Sequence, residues 1–408
     1  MAALKEKAAA PPIFQVASAA LRITARAAVI FLVGVGLVAV GLWSVNDLPA
    51  GTSLRPFDSL LGGTTQQAEA LLYVYDNDTG WKPNPYTQLH YVESHPFGGG
   101  EPRDVRLRTN SEGFFDREHY VSTPYYRIAF LGDSWVEAQQ VDRSQRFTDL
   151  LEQYVFSLSN GRRAVETMNF GVSNLGTAQE YGVAKTYVAR YRPNEIWVLF
   201  NPVDDLTDSS PLYTSPPLGP TFVTAGGPKG TITDIRFGYV DPPPVAEEWR
   251  HKRYGDLIAH LPGQVRAYLY ARESHPAFDA IFDETRQALR LLKNVATRAG
   301  AKLVVVYLPM QAETDADQWS AFASESQKVV GQPLHLDAAL GERRVEAMVR
   351  GEGIDFLSLA PLIREKGNKE MFQRHFSRMG HHWVADFMAR HLLTTACCAR
   401  PPETGDAH

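Results

Sequence analysis

The chain has 408 residues, 44% hydrophobic and 21% charged, an ordinary globular balance that excludes a largely disordered protein. A formal net charge of −5 removes the electrostatic case for a nucleic-acid partner. The two cysteines, Cys397 and Cys398, are adjacent and near the end, so they build no disulfide framework.

Residues 1–26 carry Lys5, Lys7, Arg22 and Arg26 and precede an uncharged apolar run, "AAVIFLVGVGLVAVGLWSV", at 27–45. A run near the ~20 residues that span a bilayer predicts a single transmembrane anchor. The basic residues before it and Asp47 after it orient the N-terminus to the cytoplasm and the rest outside, periplasmic if the source is bacterial. A cleaved signal peptide and a buried core helix are the competing readings. Residues 46–65 are rich in Gly, Pro, Ser and Thr and read as a linker.

The body, 66–396, alternates short apolar runs with helical patterns. The runs are "RIAFL", "VETMNFGV", "EIWVLF", "KLVVVYL" and the weaker "GIDFLSL". "DRSQRFTDLLEQ" starts one helix, and "AFDAIFDETRQALRLLKNVATRAGA" another. In the second, Phe278, Ile281, Phe282, Leu289, Leu292 and Val295 share a face and Gly300 supplies the stop. Continuous apolar strands between helices predict a parallel sheet covered on both sides, a three-layer α/β/α domain. The alternation lapses from about 209 to 276, a segment long enough to be a cap over a site or a surface insertion. Residues 397–408 form a tail. No zinc-ligand spacing, Walker-type loop or other cofactor motif occurs, so neither metal nor cofactor is expected.

Three strand-to-loop junctions carry the chemistry. "GDS", Gly132 to Ser134, follows the first apolar run; "NFGVSNLGT" starts at Asn169; and "FQRHFSRMGHHW" runs into the last helix. Ligands of open α/β sheets sit at the carboxyl ends of strands. A serine nucleophile needs an imidazole to take its proton and donors for the oxyanion. Ser134 with His375, His381 or His382 meets the first need, and loop amides near Ser134 and Asn174 meet the second. The plain alternatives are that Asp133 and Ser134 cap a helix and that a histidine beside Trp383 is structural.

Taken together, these stretches resemble the SGNH/GDSL hydrolase superfamily, in its membrane-anchored or secreted branch, over roughly 73–395. The family pattern reads "GW", "NS.GF.D.E", "GDSFVE..QV", "NFGVSGYGTAQE", "PD.V...F..ND" and "D.H....GH..A". This chain has Gly80-Trp81, then "NSEGFFDREH", "GDSWVEAQQV", "NFGVSNLGTAQE", "RPNEIWVLFNPVDD" and "QRHFSRMGHHWVA" in the same order. The resemblance implies a flavodoxin-like sheet, Ser134 as nucleophile and His375 as general base.

The chain departs from the pattern at three positions. Asn174 stands where the family has an oxyanion-hole glycine, and Asp204 where it has an oxyanion-hole asparagine; Asn201 is a nearby substitute. Gln373 replaces the aspartate that orients the histidine, with Phe372 at the other family spacing and Glu370 as a more distant acid. The resemblance implies an extracytoplasmic esterase acting on an O-acylated small molecule or glycan. The alternatives are an O-acyltransferase on an envelope polysaccharide and a catalytically degenerate binder.

Overall fold

The computed structural model describes residues 72–93, 103–121, 123–202, 204–214, 219–238, 243–260 and 262–395. The anticipated anchor at 27–45, the linker and the cysteine-bearing tail lie outside them. Among the described residues no helix is long and apolar enough to cross a membrane.

Two hairpins lead in: β1 (Tyr73–Asp76) with β2 (Gly80–Pro83), and β3 (Gln88–Glu93) with β4 (Arg103–Arg108). The sheet then begins with β5 (Tyr126–Leu131), which turns into the one-turn helix α1 (Ser134–Glu137) and, after a 3-10 turn, α2 (Phe147–Leu158). β6 (Val165–Asn169), α3 (Thr177–Val183), β7 (Glu195–Phe200) and the short α4 (Asp205–Asp208) follow. The irregular middle contains the hairpin β8 (Thr221–Ala225)–β9 (Thr231–Arg236) and helices α5 (Pro243–Tyr254) and α6 (Pro262–Arg266). Helix α7 (Pro276–Ala299) leads to β10 (Lys302–Tyr307), α8 (Ala316–Val330), α9 (Ala338–Gly351) and β11 (Asp355–Ser358). The chain closes with α10 (Ala360–Lys366), α11 (Asn368–Met371), the two-residue strands β12 (Phe372–Gln373) and β13 (His375–Phe376), and α12 (Arg378–Thr394).

All five apolar runs form one parallel sheet in the order β6-β5-β7-β10-β11. Counted along the chain this is 2-1-3-4-5, the doubly wound flavodoxin-like order, with its switch point between β5 and β7. Strand periodicity sends alternate residues to opposite layers. Ile128, Phe130, Trp197, Leu199, Val304 and Val306 pack with α2, α10 and α12; Ala129, Leu131, Ile196, Val198, Val305 and Tyr307 pack on the opposite side, with α3, α7 and α9. Each fully buried large side chain contributes about 1.5–3 kcal/mol. Helix α7 ends where its sequence says it should, at Gly300 with φ 77°.

The 209–276 segment lies against the same layer as α3 and α7. Phe222, Ile232 and Ile235 join that core. Gln287 of α7 accepts the Ile232 N–H at 2.7 Å, and Arg253 pairs with buried Glu284 at 2.8 Å. Arg266 of α6 extends to Thr207 Oγ1 (2.6 Å) and to within 3.7 Å of the Asp204 carboxylate.

The "DREH" stretch forms a buried ion network rather than part of the reactive site. His119 bonds Asp116 through Nε2 (2.8 Å) and Glu166 through Nδ1 (2.9 Å), and Arg127 also pairs with Glu166 at 2.9 Å. Burial opposes the imidazolium, but the two carboxylates overcome it and lift His119 to about 9. A folded pKa above the unfolded value stabilises fully below pH ~6.5, and that contribution is lost as pH rises through about 9. We expect His119→Gln to lower unfolding free energy by a few kcal/mol at pH 6, and the gap from wild type to shrink by pH 10. Urea unfolding at the two pH values checks this; a gap that does not change would assign the loss to packing alone.

Candidate active site

Strand β5 delivers the serine. After Leu131, Gly132 adopts φ 157°, and a Cβ there would run into the Val136 side chain. Asp133 caps α1, its Oδ1 accepting the Trp135 N–H at 2.9 Å, as the helix-cap reading of Asp133 expects. Ser134, partly exposed, opens this helix. Its own N–H makes no hydrogen bond among the described residues.

The third junction brings His375 to Ser134. Its Nε2 lies 2.8 Å from Ser134 Oγ. Ser377 caps α12 by accepting the Gly380 N–H at 2.9 Å, which sets the two-residue strand β13 just before the last helix. The other histidines are elsewhere. His381 is fully buried, accepts the Phe147 N–H at 3.2 Å and stacks on the Phe147 ring; His382 meets Tyr154 OH at 3.1 Å. Trp135 holds the His375 imidazole edge-on at 4.8 Å, with Phe372 and Phe376 around the indole at 5.6 and 5.0 Å. The reading from sequence missed Trp135, although an aromatic next to Ser134 in "GDSW" was the available signal.

The second junction supplies an amide. Leu175 N–H bonds Val172 O at 3.2 Å, closing a turn whose third residue is Asn174 with φ 61°. That left-handed conformation is why glycine is at home there, and asparagine is among the side-chain-bearing residues that tolerate it. The Asn174 N–H has no partner among the described residues, so the change from glycine leaves the donor available. Two other residues hold this turn to α1. Glu137, buried, accepts from Tyr73 OH (2.9 Å), from Ser173 N–H (3.0 Å) and from the Ser173 hydroxyl. Gly171 lies so close to α1 that a Cβ would strike the Glu137 backbone. Glu137 and Tyr73 were also missed; a glutamate within "GDSWVE" followed by a buried loop was the only trace of that role.

Support for the histidine differs from expectation. Gln373 sits opposite His375 in the β12–β13 pair, yet its Oε1 accepts from Arg103 at 2.8 Å and does not reach the imidazole. The expectation that Gln373 orients His375 is therefore corrected: a guanidinium from β4 competes for the carbonyl and, as the charged donor, takes it. Exposed Glu370 makes no bond to His375 either, and Phe372 packs on Trp135. For Nε2 to accept the Ser134 proton, the ring hydrogen must be on Nδ1, where no acceptor is bonded among the described residues. Burial, then Arg374, then Arg103 depress His375 to about 4. The imidazole is thus neutral at physiological pH, but its imidazolium lacks the usual anionic partner.

At the switch point, Asp204 follows β7. Its Oδ2 accepts Asn201 Nδ2 at 2.9 Å and its Oδ1 faces Arg266 at 3.7 Å. Asn201 spends its side-chain donor on Asp204 rather than facing Ser134. Burial, with the charges of Asp204 and Asp205, pushes Asp133 well above the usual carboxylate range. The site is therefore polarised, with Asp133, Asp204 and Asp205 at the β5/β7 crevice and the charges of Arg374 and Arg103 acting on His375. Among the described residues no cluster of His, Cys, Asp and Glu could hold a metal ion.

No family model matches the chain, and no curated protein matches it in sequence. Among solved structures, the chain is similar to TesA at 11% identity and TM-score 0.37, over 65% of this chain and 97% of that one. It is similar to a lipase/acylhydrolase from Enterococcus faecalis at 13% identity and TM-score 0.35, over 65% and 94%. A third, the acetyl xylan esterase AlAXEase, gives 11% identity and TM-score 0.36 over 65% and 99%. Likenesses this faint carry no weight, and the chemistry is read from the site itself. Its strand order is the one that the resemblance to SGNH/GDSL hydrolases implies, and Ser134 Oγ and His375 Nε2 lie within hydrogen-bond distance.

Proposed function

We propose that the chain is a serine hydrolase of acyl esters of the SGNH/GDSL type. The observation that carries this is the 2.8 Å approach of Ser134 Oγ to His375 Nε2 beside two unbonded backbone amides. Ser134 Oγ attacks the ester carbonyl carbon as His375 Nε2 takes its proton. The oxyanion falls to the N–H groups of Ser134 and Asn174. Collapse expels the alcohol with the proton from His375, and water, activated by the same imidazole, releases the acid from the acyl-serine.

The family resemblance supports acetyl or other O-acyl groups on a glycan, and the apolar run at 27–45 supports a membrane-anchored, extracytoplasmic placement. A fluorophosphonate probe should label the full-length protein at Ser134, and 4-nitrophenyl acetate should turn over. Absence of both sinks the proposal. Release of acetate to water rather than to an added oligosaccharide distinguishes hydrolysis from transfer.

Asp204 stands where a third oxyanion donor is expected, and an ionised carboxylate repels an oxyanion. Asp204→Asn is expected to raise kcat at least tenfold, since one such donor is worth about 10²–10³. An unchanged or lower kcat would show that Asp204 is too far from the oxyanion to matter.

A second reading, a non-catalytic binder of acylated ligands, is favoured by the bond between Arg103 and Gln373. That bond occupies the Gln373 side-chain carbonyl, which does not reach the histidine. Phosphonate labelling of Ser134 rules this reading out.

A further inference from the structure

The charge beside His375 is the reverse of what a general base needs. After burial, the charges acting on His375 are those of two guanidinium groups, Arg374 and then Arg103. Arg103 is buried and tied to Gln373 by its side chain (2.8 Å) and by its backbone carbonyl (3.3 Å). Arg374 is different. It is the residue between β12 and β13, exposed, with φ 68°, a left-handed conformation that arginine adopts only under constraint from its surroundings. The constraint is visible: Gln373 pairs with His375 across this turn, and Arg103 clamps Gln373 from outside. The turn thus presents Arg374 immediately before the general base. Its side chain makes no ion pair and no hydrogen bond among the described residues. Its charge is nonetheless felt by the imidazole, second only to burial.

A cation presented beside a reacting centre and left without an internal partner is complemented by an anion from outside. The opposite side of the crevice cannot take that anion, because Asp204 and Asp205 lie there after β7. We propose that the site selects esters carrying an anionic group, a carboxylate on the acylated alcohol, seated at Arg374 on the His375 side. The bound carboxylate then provides the negative charge that the protein leaves out, so substrate completes the catalytic unit. This rests on the hydrolase reading and adds its substrate class, an O-acylated acid such as an acetylated uronic acid or hydroxy acid.

The test uses the full-length protein with 4-acetoxybenzoate and its neutral methyl ester, which differ only in the charge on the alcohol side. Wild type should prefer the anion by at least about fivefold in kcat/KM at low salt, and the preference should fade as salt screens the pair. Arg374→Glu should reverse the preference, the neutral methyl ester becoming the better substrate. Equal rates for the two esters in wild type, or a preference that survives Arg374→Glu, overturns the proposal. A carboxylate on the acyl side is the competing placement; preference for mono-4-nitrophenyl succinate over 4-nitrophenyl butyrate without preference for 4-acetoxybenzoate would move the anion there and reject the alcohol-side assignment. If no ester shows Ser134-dependent turnover, the hydrolase reading fails separately. Anion selection is then read by calorimetric titration of Ser134→Ala with 4-acetoxybenzoate. Binding lost in Ser134→Ala/Arg374→Glu upholds selection, and binding that is absent or unaffected overturns it.

Discussion

Ser134→Ala is expected to lose at least about 10³-fold in kcat on any ester the protein turns over, and His375→Ala to lose about as much. The two residues act as one unit, a nucleophile and the base 2.8 Å away, so the losses should not add in the double variant. Non-additivity separates this from two independent packing defects, whose effects would multiply in rate. The pH profile offers a second check. Since His375 is held near 4 by burial, Arg374 and Arg103, it stays neutral and able to accept a proton through most of the acidic range. The acid limb of kcat/KM should therefore fall near pH 4 and not near 6 to 7. A limb near 6.5 would mean that His375 is solvated and free of its cationic neighbours in solution. A base with so low a pKa is also a weak one, and turnover should be correspondingly slow.

The second large effect is a gain. The serine proteases lose about 10⁴ in kcat when the carboxylate behind the histidine becomes an amide. This chain begins in the amide state, with Arg103 bonded to that amide. Gln373→Asp alone should do little, because Arg103 would pair with the new carboxylate. Arg103→Gln with Gln373→Asp should free it to face the imidazole across the β12–β13 pair, where directly opposed side chains are about 5 Å apart. We expect kcat on a neutral acetyl ester to rise by roughly 10² and the acid limb to move upward as His375 regains an anionic neighbour. The double variant should also lose much of its preference for anionic esters, since the protein would then supply the charge itself. A limb that stays near pH 4 would show that burial alone, and not missing charge, sets the basicity of His375. Loss of folding in the double variant would be seen by circular dichroism, and Arg103→Met with Gln373→Asp, which keeps the length of the side chain without its charge, then serves as the milder pair.

Much of the architecture was legible in the linear sequence because it is carried by local pattern. Five continuous apolar runs became the five parallel strands, since a strand buried on both faces has no polar alternation to show. Gly300 ended α7 because a left-handed residue closes a helix cheaply only without a Cβ. Ser134 could be singled out because a glycine-ended apolar run followed by Asp-Ser is a local signal. The aspartate and glycine replacements at 373 and 174 were legible too, as were the residues at risk.

What those replacements do was decided only by the tertiary structure, because each outcome depends on contacts distant in sequence. Which of three histidines meets Ser134 follows from a separation of 241 residues closed by the cap at Ser377. The consequence of Asn174 rested on a backbone angle, and at φ 61° the amide survives the change. The fate of Gln373 was set by Arg103, 270 residues away on a hairpin that carries no catalytic motif. The role of Glu137 in fastening the turn at Ser173 to α1 was hidden for the same reason. Composition and periodicity report how a segment buries itself against water. They do not report which side chains a folded chain brings to rest beside one another, and here burial, then Arg374, then Arg103 depress the His375 imidazole.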